Sequence, residues 1–247
     1  MPVEVDDNQR MSGMLSLHSD RSDPALGGPF RLHDESAYAV WRAAKLAAYP
    51  ESVDALRIRI ENLGNPSAAE SAAIRELCAA ANMAVYDCGP IGSDRAYVRP
   101  AIRAFAAALG LRTVETHRSQ GDDGIVAIEM AASGSRVGYI PYSNRPLSWH
   151  TDGYYNFHGP SDCVKAVVLH CVRDANEGGV SALLDHEIAY IRLRDRDPAF
   201  IKALMHPDSM TIPAGEDGTR GPRPDNTGPI FFLDPKSRAL VMRFRAV

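Results

Sequence analysis

The chain has 247 residues, 45% of them hydrophobic and 23% charged, with 27 Lys+Arg against 31 Asp+Glu, 8 His and 4 Cys. That length suits one sheet-built domain, alone or with a small appendage. A formal net charge of -4 offers no bulk attraction to nucleic acid or to an anionic membrane, so a small-molecule or protein partner is expected. Cys78, Cys88, Cys163 and Cys171 form no C-x-x-C pair and are too few for a disulfide scaffold. The acidic start, Met1 to Asp7, is not followed by an apolar stretch, and nothing approaches the ~20 apolar residues of a spanning helix. A cytoplasmic setting is therefore expected.

In chain order, residues 1–30 mix Gly, Pro, Ser and Asp without a sustained period and read as a loosely ordered arm. Residues 31–118 read as a helix and strand segment. In it, Tyr38, Val40, Trp41, Ala44, Leu46 and Ala47 support a helix that stops before Pro50. The alternation of Val53, Leu56, Ile58 and Ile60 with Arg57 and Arg59 predicts a strand. Asn65-Pro66-Ser67 opens an Ala-rich helix to about Ala81, with Pro66 expected in its first turn. Met83 to Cys88 is a second strand, and Val98 to Leu109 a third helix closed by Gly110.

Residues 119–247 turn strand-like. Gly124 to Met130, Val164 to Val172 and Val180 to Leu184 are predicted strands. Asp185 is a predicted N-cap for a helix that runs to Met205 and breaks near Pro198. Met210 to Ile212, Ile230 to Leu233 and Ala239 to Phe244 are further strands, with a Gly/Pro-rich loop at 214–229. Helices first and short strands later predict an α+β fold whose functional part is a β-sandwich or jelly roll.

The stretch from Tyr139 to Tyr155 carries the chemistry. On an extended strand, residues i and i+2 project to one side, so the imidazole of His150 and the carboxylate of Asp152 converge while Thr151 points away. One nitrogen and one carboxylate donor are two thirds of a 2-His-1-carboxylate site for non-haem Fe(II). Gly153 lets the chain turn away after the pair. His18/Asp20 and His206/Asp208 share the H-x-D spacing but read as solvated loop pairs.

Trp149-His150-Thr151-Asp152-Gly153, the apolar run Ala166 to Val172, Glu177-Gly178-Gly179-Val180-Ser181 and Leu183-Leu184-Asp185 together resemble the TauD/TfdA (taurine dioxygenase-like) family of Fe(II)/2-oxoglutarate-dependent dioxygenases. Tyr139-Ile140-Pro141-Tyr142 and Leu240 to Arg245 add to the likeness, which covers about residues 120–247. The resemblance implies a double-stranded β-helix (jelly roll) holding Fe(II), with His150 and Asp152 as two metal ligands and catalytic residues. It implies Ser181 as the hydroxyl that binds the 2-oxoglutarate carboxylate. The implied reaction decarboxylates 2-oxoglutarate to succinate and hydroxylates a small polar or zwitterionic metabolite with O2. Tyr142 and Tyr154 are candidate substrate residues, since with Trp149 and Tyr155 they crowd the pair; core packing explains them about as well.

In that family a distal His and a 2-oxoglutarate-pairing Arg lie well downstream of the H-x-D. Here Arg243-Phe244-Arg245 is followed directly by Ala246-Val247, so a jelly roll incomplete at its C-terminus is expected, with iron binding and turnover in doubt. His33, His117, His158, His170 and His186 read as loop, core or helix-start residues, and Arg243 and Arg245 as a solvated strand face. The alternatives are an inactive remnant or non-catalytic binding protein of the same partial fold, and a cupin-like hydrolase or isomerase. Expected partners are a small-molecule substrate and O2, with no nucleic acid and no membrane; a homo-oligomer is compatible with the composition.

Overall fold

A computed structural model describes residues 28–114, 123–132, 137, 140–216 and 222–246. The predicted arm therefore lies almost wholly outside the described residues, as do His18, Asp20, His117 and Tyr139. Two compact units are distinguished, Met1–Ala47 and Ala48–Val247. The first contributes helix α1 (Glu35–Ala48). Asp34 starts it, one carboxylate oxygen accepting from the Ala37 N–H at 3.0 Å and the other from Gly28 N–H at 2.8 Å. Phe30 meets Trp41 edge-on at 4.9 Å, which buries part of the helix's apolar face within its own unit.

The second unit opens with β1 (Arg57–Arg59), α2 (Ala68–Ala81) and β2 (Val85–Asp87). β1 and β2 pair in parallel, Ile58 opposite Tyr86, so α2 is the crossover of a βαβ unit. The predicted strand over 53–60 is shorter than expected because Asp54–Leu56 winds into a 3-10 turn. Ser67, not Pro66, begins α2: the Ser67 hydroxyl accepts from Glu70 N–H at 3.1 Å and the Glu70 carboxylate accepts from Ser67 N–H at 2.6 Å, a reciprocal capping box. Pro66 is thereby outside the helix. Asn82 ends α2 in the left-handed region at φ 56°.

Helix α3 (Arg95–Ala108) starts earlier than the apolar pattern predicted, because Asp94 caps it and Arg95 to Tyr97 form a polar first turn. Gly110, at φ 91°, closes it as expected: its N–H reaches Ala107 O at 3.0 Å and Leu111 N–H reaches Ala106 O at 2.9 Å. Ile60, Leu63, Ile74, Ala101 and Phe105 form the core between α2, α3 and this parallel pair, with Tyr86, Ile102, Leu109 and Val168 packed around it.

Three predicted strands do not form regular strands: 124–130, 164–172 and 180–184 are irregular chain. Each has β-branched or apolar residues but no ladder partner among the described residues, and other bonds hold two of them. On α3, Arg95 and Arg99 lie one turn apart and grip the first: Arg95 pairs with Glu129 at 2.8 Å, while Arg99 pairs bidentately with Asp123 and donates to Ile125 O at 2.9 Å. Val168 of the second packs on the core while Tyr86 donates its hydroxyl to Leu169 O at 3.2 Å. In the third, Val180, Leu183 and Leu184 are exposed.

The predicted helix over 187–205 is two, α4 (His186–Arg196) and α5 (Pro198–Leu204). Asp185 and Asp197 serve as their N-caps, and Pro198 sits at the start of α5 where its missing N–H costs nothing. Then β3 (Met210–Ile212), β4 (Gly215–Glu216), β5 (Pro222–Arg223) and β6 (Asn226–Gly228) make one antiparallel ribbon. The pairings Met210 to Gly228 and Gly215 to Arg223 share a single register, so β4 and β5 continue the β3 and β6 strands toward the ribbon's tip. β7 (Phe231–Leu233) and β8 (Leu240–Met242) form a second hairpin. Tyr190 of α4 packs edge-on against Phe231 at 5.5 Å, and Ile201, Ile212 and Leu240 are buried in the same half. The architecture is α+β with four two-stranded sheets among the described residues. No described helix is long and apolar enough to cross a membrane.

Candidate active site

The chain beyond β8 positions the H-x-D stretch. Thr151 N–H donates to Phe244 O at 2.9 Å and Ala246 N–H to Trp149 O at 2.7 Å, which sets His150 directly opposite Arg245 in an antiparallel bridge. Phe244 N–H donates in turn to the Thr151 hydroxyl at 3.0 Å. Asp152 then enters a turn that depends on Gly153: its φ is 70°, and a Cβ there would lie 2.5 Å from a Val164 methyl. The need for glycine was legible in the sequence; that the clash is with Val164 was not.

Arg243 fastens this turn to the rest of the unit. It is buried, and its guanidinium makes five hydrogen bonds: to Tyr154 O at 2.7 Å, Met210 O at 3.1 Å, Gly228 O at 3.4 Å, Asn226 O at 2.7 Å and Asn226 Oδ1 at 2.7 Å. It also lies over the Phe157 ring at 5.4 Å. Burial lowers its pKa, yet the oxygens around it all favour the charged form. Of the predicted solvated strand face, only Arg245 is exposed; Arg243 is an interior anchor. On the far side, buried Asp234 at the β7–β8 turn pairs with Lys165 just after Val164. Burial pushes the Asp234 carboxyl up, but the Lys165 ammonium and the N–H and hydroxyl of Ser237 outweigh this and hold it at about 2.

On this scaffold the structure brings His150 and Asp152 together, with Nε2 3.3 Å from Oδ1. His150 Nδ1 lies 2.8 Å from Ser148 O. A carbonyl only accepts, so Nδ1 carries a proton, and a neutral imidazole in this tautomer would present its Nε2 lone pair toward the carboxylate. Two acceptors facing each other at that spacing suit a shared cation: metal bonds of about 2.0–2.2 Å place neighbouring ligand atoms roughly 3 Å apart. The Ser148 carbonyl is the outer partner that fixes a metal-binding histidine's tautomer. The pair therefore fits an iron ion as two of its ligands. Among the described residues no third His, Cys, Asp or Glu joins them.

Tyr154 stands beside the pair, its ring edge-on to His150 at 6.1 Å and to Tyr155 at 5.2 Å. Tyr142 is buried at the end of a 3-10 turn (Ile140–Tyr142), its carbonyl accepting from Ala131 N–H at 3.0 Å. Ser181 lies in the exposed irregular stretch before Asp185. Three further histidines have structural partners: His158 with Asn156 at 2.9 Å, His186 with Leu240 O at 2.8 Å, and His170 stacked on Tyr86, with burial lowering its pKa. His206 accepts from Asp208 N–H at 3.2 Å in an exposed turn, as the solvated reading predicted. Sequence reasoning missed the anchoring role of Arg243 and the bridge between His150 and Arg245; alternation places the two arginines on one face and carries no signal of their different burial.

Residues 45–245 match the family described as taurine catabolism dioxygenase TauD, TfdA. A uridine-5'-phosphate dioxygenase from Amycolatopsis sp is 33% identical over 90 residues, which cover 35% of this chain and 29% of that relative. The match thus spans less than a third of the relative's length. No solved structure matches the chain.

Proposed function

Because the chain belongs to the taurine catabolism dioxygenase TauD, TfdA family, we propose that it is an Fe(II)/2-oxoglutarate-dependent oxygenase hydroxylating a small polar or zwitterionic metabolite, with O2 as the second co-substrate. The observation that carries this reading is the convergence of His150 Nε2 and Asp152 Oδ1 at 3.3 Å, with the tautomer fixed by Ser148. The relative's named substrate, uridine-5'-phosphate, is a small polar metabolite and supports the class rather than the compound. A jelly roll over residues 119–247 is part of the same proposal.

In this reading His150 and Asp152 hold the metal. The Ser181 hydroxyl binds a carboxylate of 2-oxoglutarate, and Tyr154, with Tyr142, walls the substrate side. Iron and 2-oxoglutarate, when bound, supply the O2 activation and the C–H chemistry, with succinate and CO2 as co-products. The protein's own part is to orient: the Ser148 carbonyl keeps the Nδ1 proton away from the metal side, and Arg243 holds Tyr154 and the turn that carries Asp152.

The test is anaerobic titration of the full chain with Fe(II) and 2-oxoglutarate, followed by visible absorption. A weak charge-transfer band is expected in the wild type and in His206→Ala, and its loss is expected in His150→Ala. A wild-type protein that shows neither the band nor Fe(II) binding by calorimetry would sink the assignment and favour a non-catalytic binding protein.

A further inference from the structure

We propose that Arg245 recognises an anionic substituent, a phosphate or carboxylate, on the substrate of the His150–Asp152 site; this rests on the oxygenase reading above. The flanking bonds, Thr151 N–H to Phe244 O and Ala246 N–H to Trp149 O, make His150 and Arg245 a non-hydrogen-bonded antiparallel pair. In such a pair the two side chains leave the ribbon on the same face with Cβ atoms about 4.5–5.5 Å apart. Arg245 thus shares the face of the imidazole whose Nε2 meets Asp152. Its guanidinium carbon lies over the Tyr154 ring at 5.3 Å, and that ring is edge-on to His150. Imidazole, phenol and guanidinium form one contiguous surface beside the donor pair.

Arg243 and Arg245 differ sharply although they are two residues apart on the same chain. The Arg243 side chain is buried and fully satisfied, whereas Arg245 is exposed and has neither a hydrogen bond nor a carboxylate partner among the described residues. The cation–π contact with Tyr154 leaves the N–H groups of the guanidinium, including its two-nitrogen edge, without a hydrogen-bond partner among the described residues. That edge matches two oxygens of a carboxylate or phosphate in its own plane. A tyrosine that holds the cation in place lowers the ordering cost of such an interaction. The site therefore selects a substrate whose anionic end sits next to the carbon presented to the metal pair.

The experiment is calorimetric titration of the full metal-free chain, at about 0.15 M salt to suppress general charge effects, with inorganic phosphate and separately with 2-oxoglutarate. The variants are Arg245→Gln and Arg245→Lys. Phosphate affinity should fall by about tenfold or more in Arg245→Gln and by less in Arg245→Lys, as expected for a charge-assisted hydrogen bond. Affinity for 2-oxoglutarate should change less than about twofold. Thermal melts of both variants should match the wild type, because Arg245 is exposed. Phosphate binding that is absent from the wild type, or equal in Arg245→Gln, overturns the inference; so does a parallel loss of 2-oxoglutarate affinity, which would assign the anion to the co-substrate. An Fe(II)/2-oxoglutarate band without Arg245-dependent phosphate binding refutes this inference alone. Arg245-dependent phosphate binding without the band refutes only the oxygenase reading.

Discussion

Replacing Arg243 by Met is expected to destabilise the 48–247 unit by about 3–5 kcal/mol while its overall shape is kept. Five acceptors surround the guanidinium, four of them main-chain carbonyls of Tyr154, Met210, Gly228 and Asn226. A hydrogen bond to a charged donor contributes about 1.5–3 kcal/mol, and an acceptor left buried without a donor costs about 1–3 kcal/mol. Against this stands the desolvation of one guanidinium, several kcal/mol that methionine does not incur. The 3.4 Å bond to Gly228 is weak. Removing the three strong bonds at 2.7 Å, partly offset by the relieved desolvation, leaves about 3–5 kcal/mol, a large share of a typical domain's 5–15 kcal/mol. Arg243→Lys keeps the charge but not the fork, and should fall between. Urea unfolding followed by circular dichroism measures both, with a drop of roughly 6–20 °C in Tm as a second reading. A destabilisation below about 1 kcal/mol in Arg243→Met would refute the anchoring role, since it would mean that the carbonyls find water or other donors at no cost.

Asp234 has a folded pKa of about 2 against an ordinary 3.8, so its contribution is present above about pH 4 and is lost as pH falls through 2. The shift is worth about 2 kcal/mol at neutral pH, and Lys165→Met should remove much of the acid-side slope in a denaturant series taken from pH 6 to pH 2. If that slope is unchanged in Lys165→Met, the pairing is not what lowers the carboxyl. Gly153→Ala should cost about 1–3 kcal/mol from a strained positive φ plus the Val164 clash. Adding Val164→Ala should restore the clash part only, and a double-mutant cycle with no coupling would contradict the close approach of these two residues.

The helices were readable because their signals are local. Asp185 and Gly110 mark helix ends as expected, whereas Asp94 and the Ser67–Glu70 box, equally local, mark starts that the apolar pattern and Pro66 misplaced. The β7–β8 hairpin was readable for the same reason, since its strands are close in the chain and the turn between them is closed by Asp234, whereas β4, β5 and β6 lie in the stretch 214–229 expected to be a loop. What failed were three strands that needed a distant partner, at 124–130, 164–172 and 180–184. Ile125 to Met130 and Val164 to Val172 have the composition of strands, but composition does not name a neighbour, and Arg95, Arg99 and Tyr86 hold those segments by side-chain bonds instead. Of the candidate site, the convergence of His150 and Asp152 is a two-residue effect that the spacing shows directly. The difference between Arg243 and Arg245, one sealed and one open, depends on what Tyr154, Asn226 and Met210 do on either side, which no pattern of alternation encodes.

The bridge between residues 149–151 and 244–246 also sets when the site takes shape. His150 and Asp152 are neighbours as soon as they are synthesised, but the bonds that orient them come from residues more than 90 positions later. Closing so long a loop is slow and entropically costly compared with forming the helices. On a ribosome, the two side chains would therefore emerge and remain unoriented until Phe244 and Ala246 leave the exit tunnel, so the pair takes its orientation in the last stage of this unit's folding rather than in its nucleation.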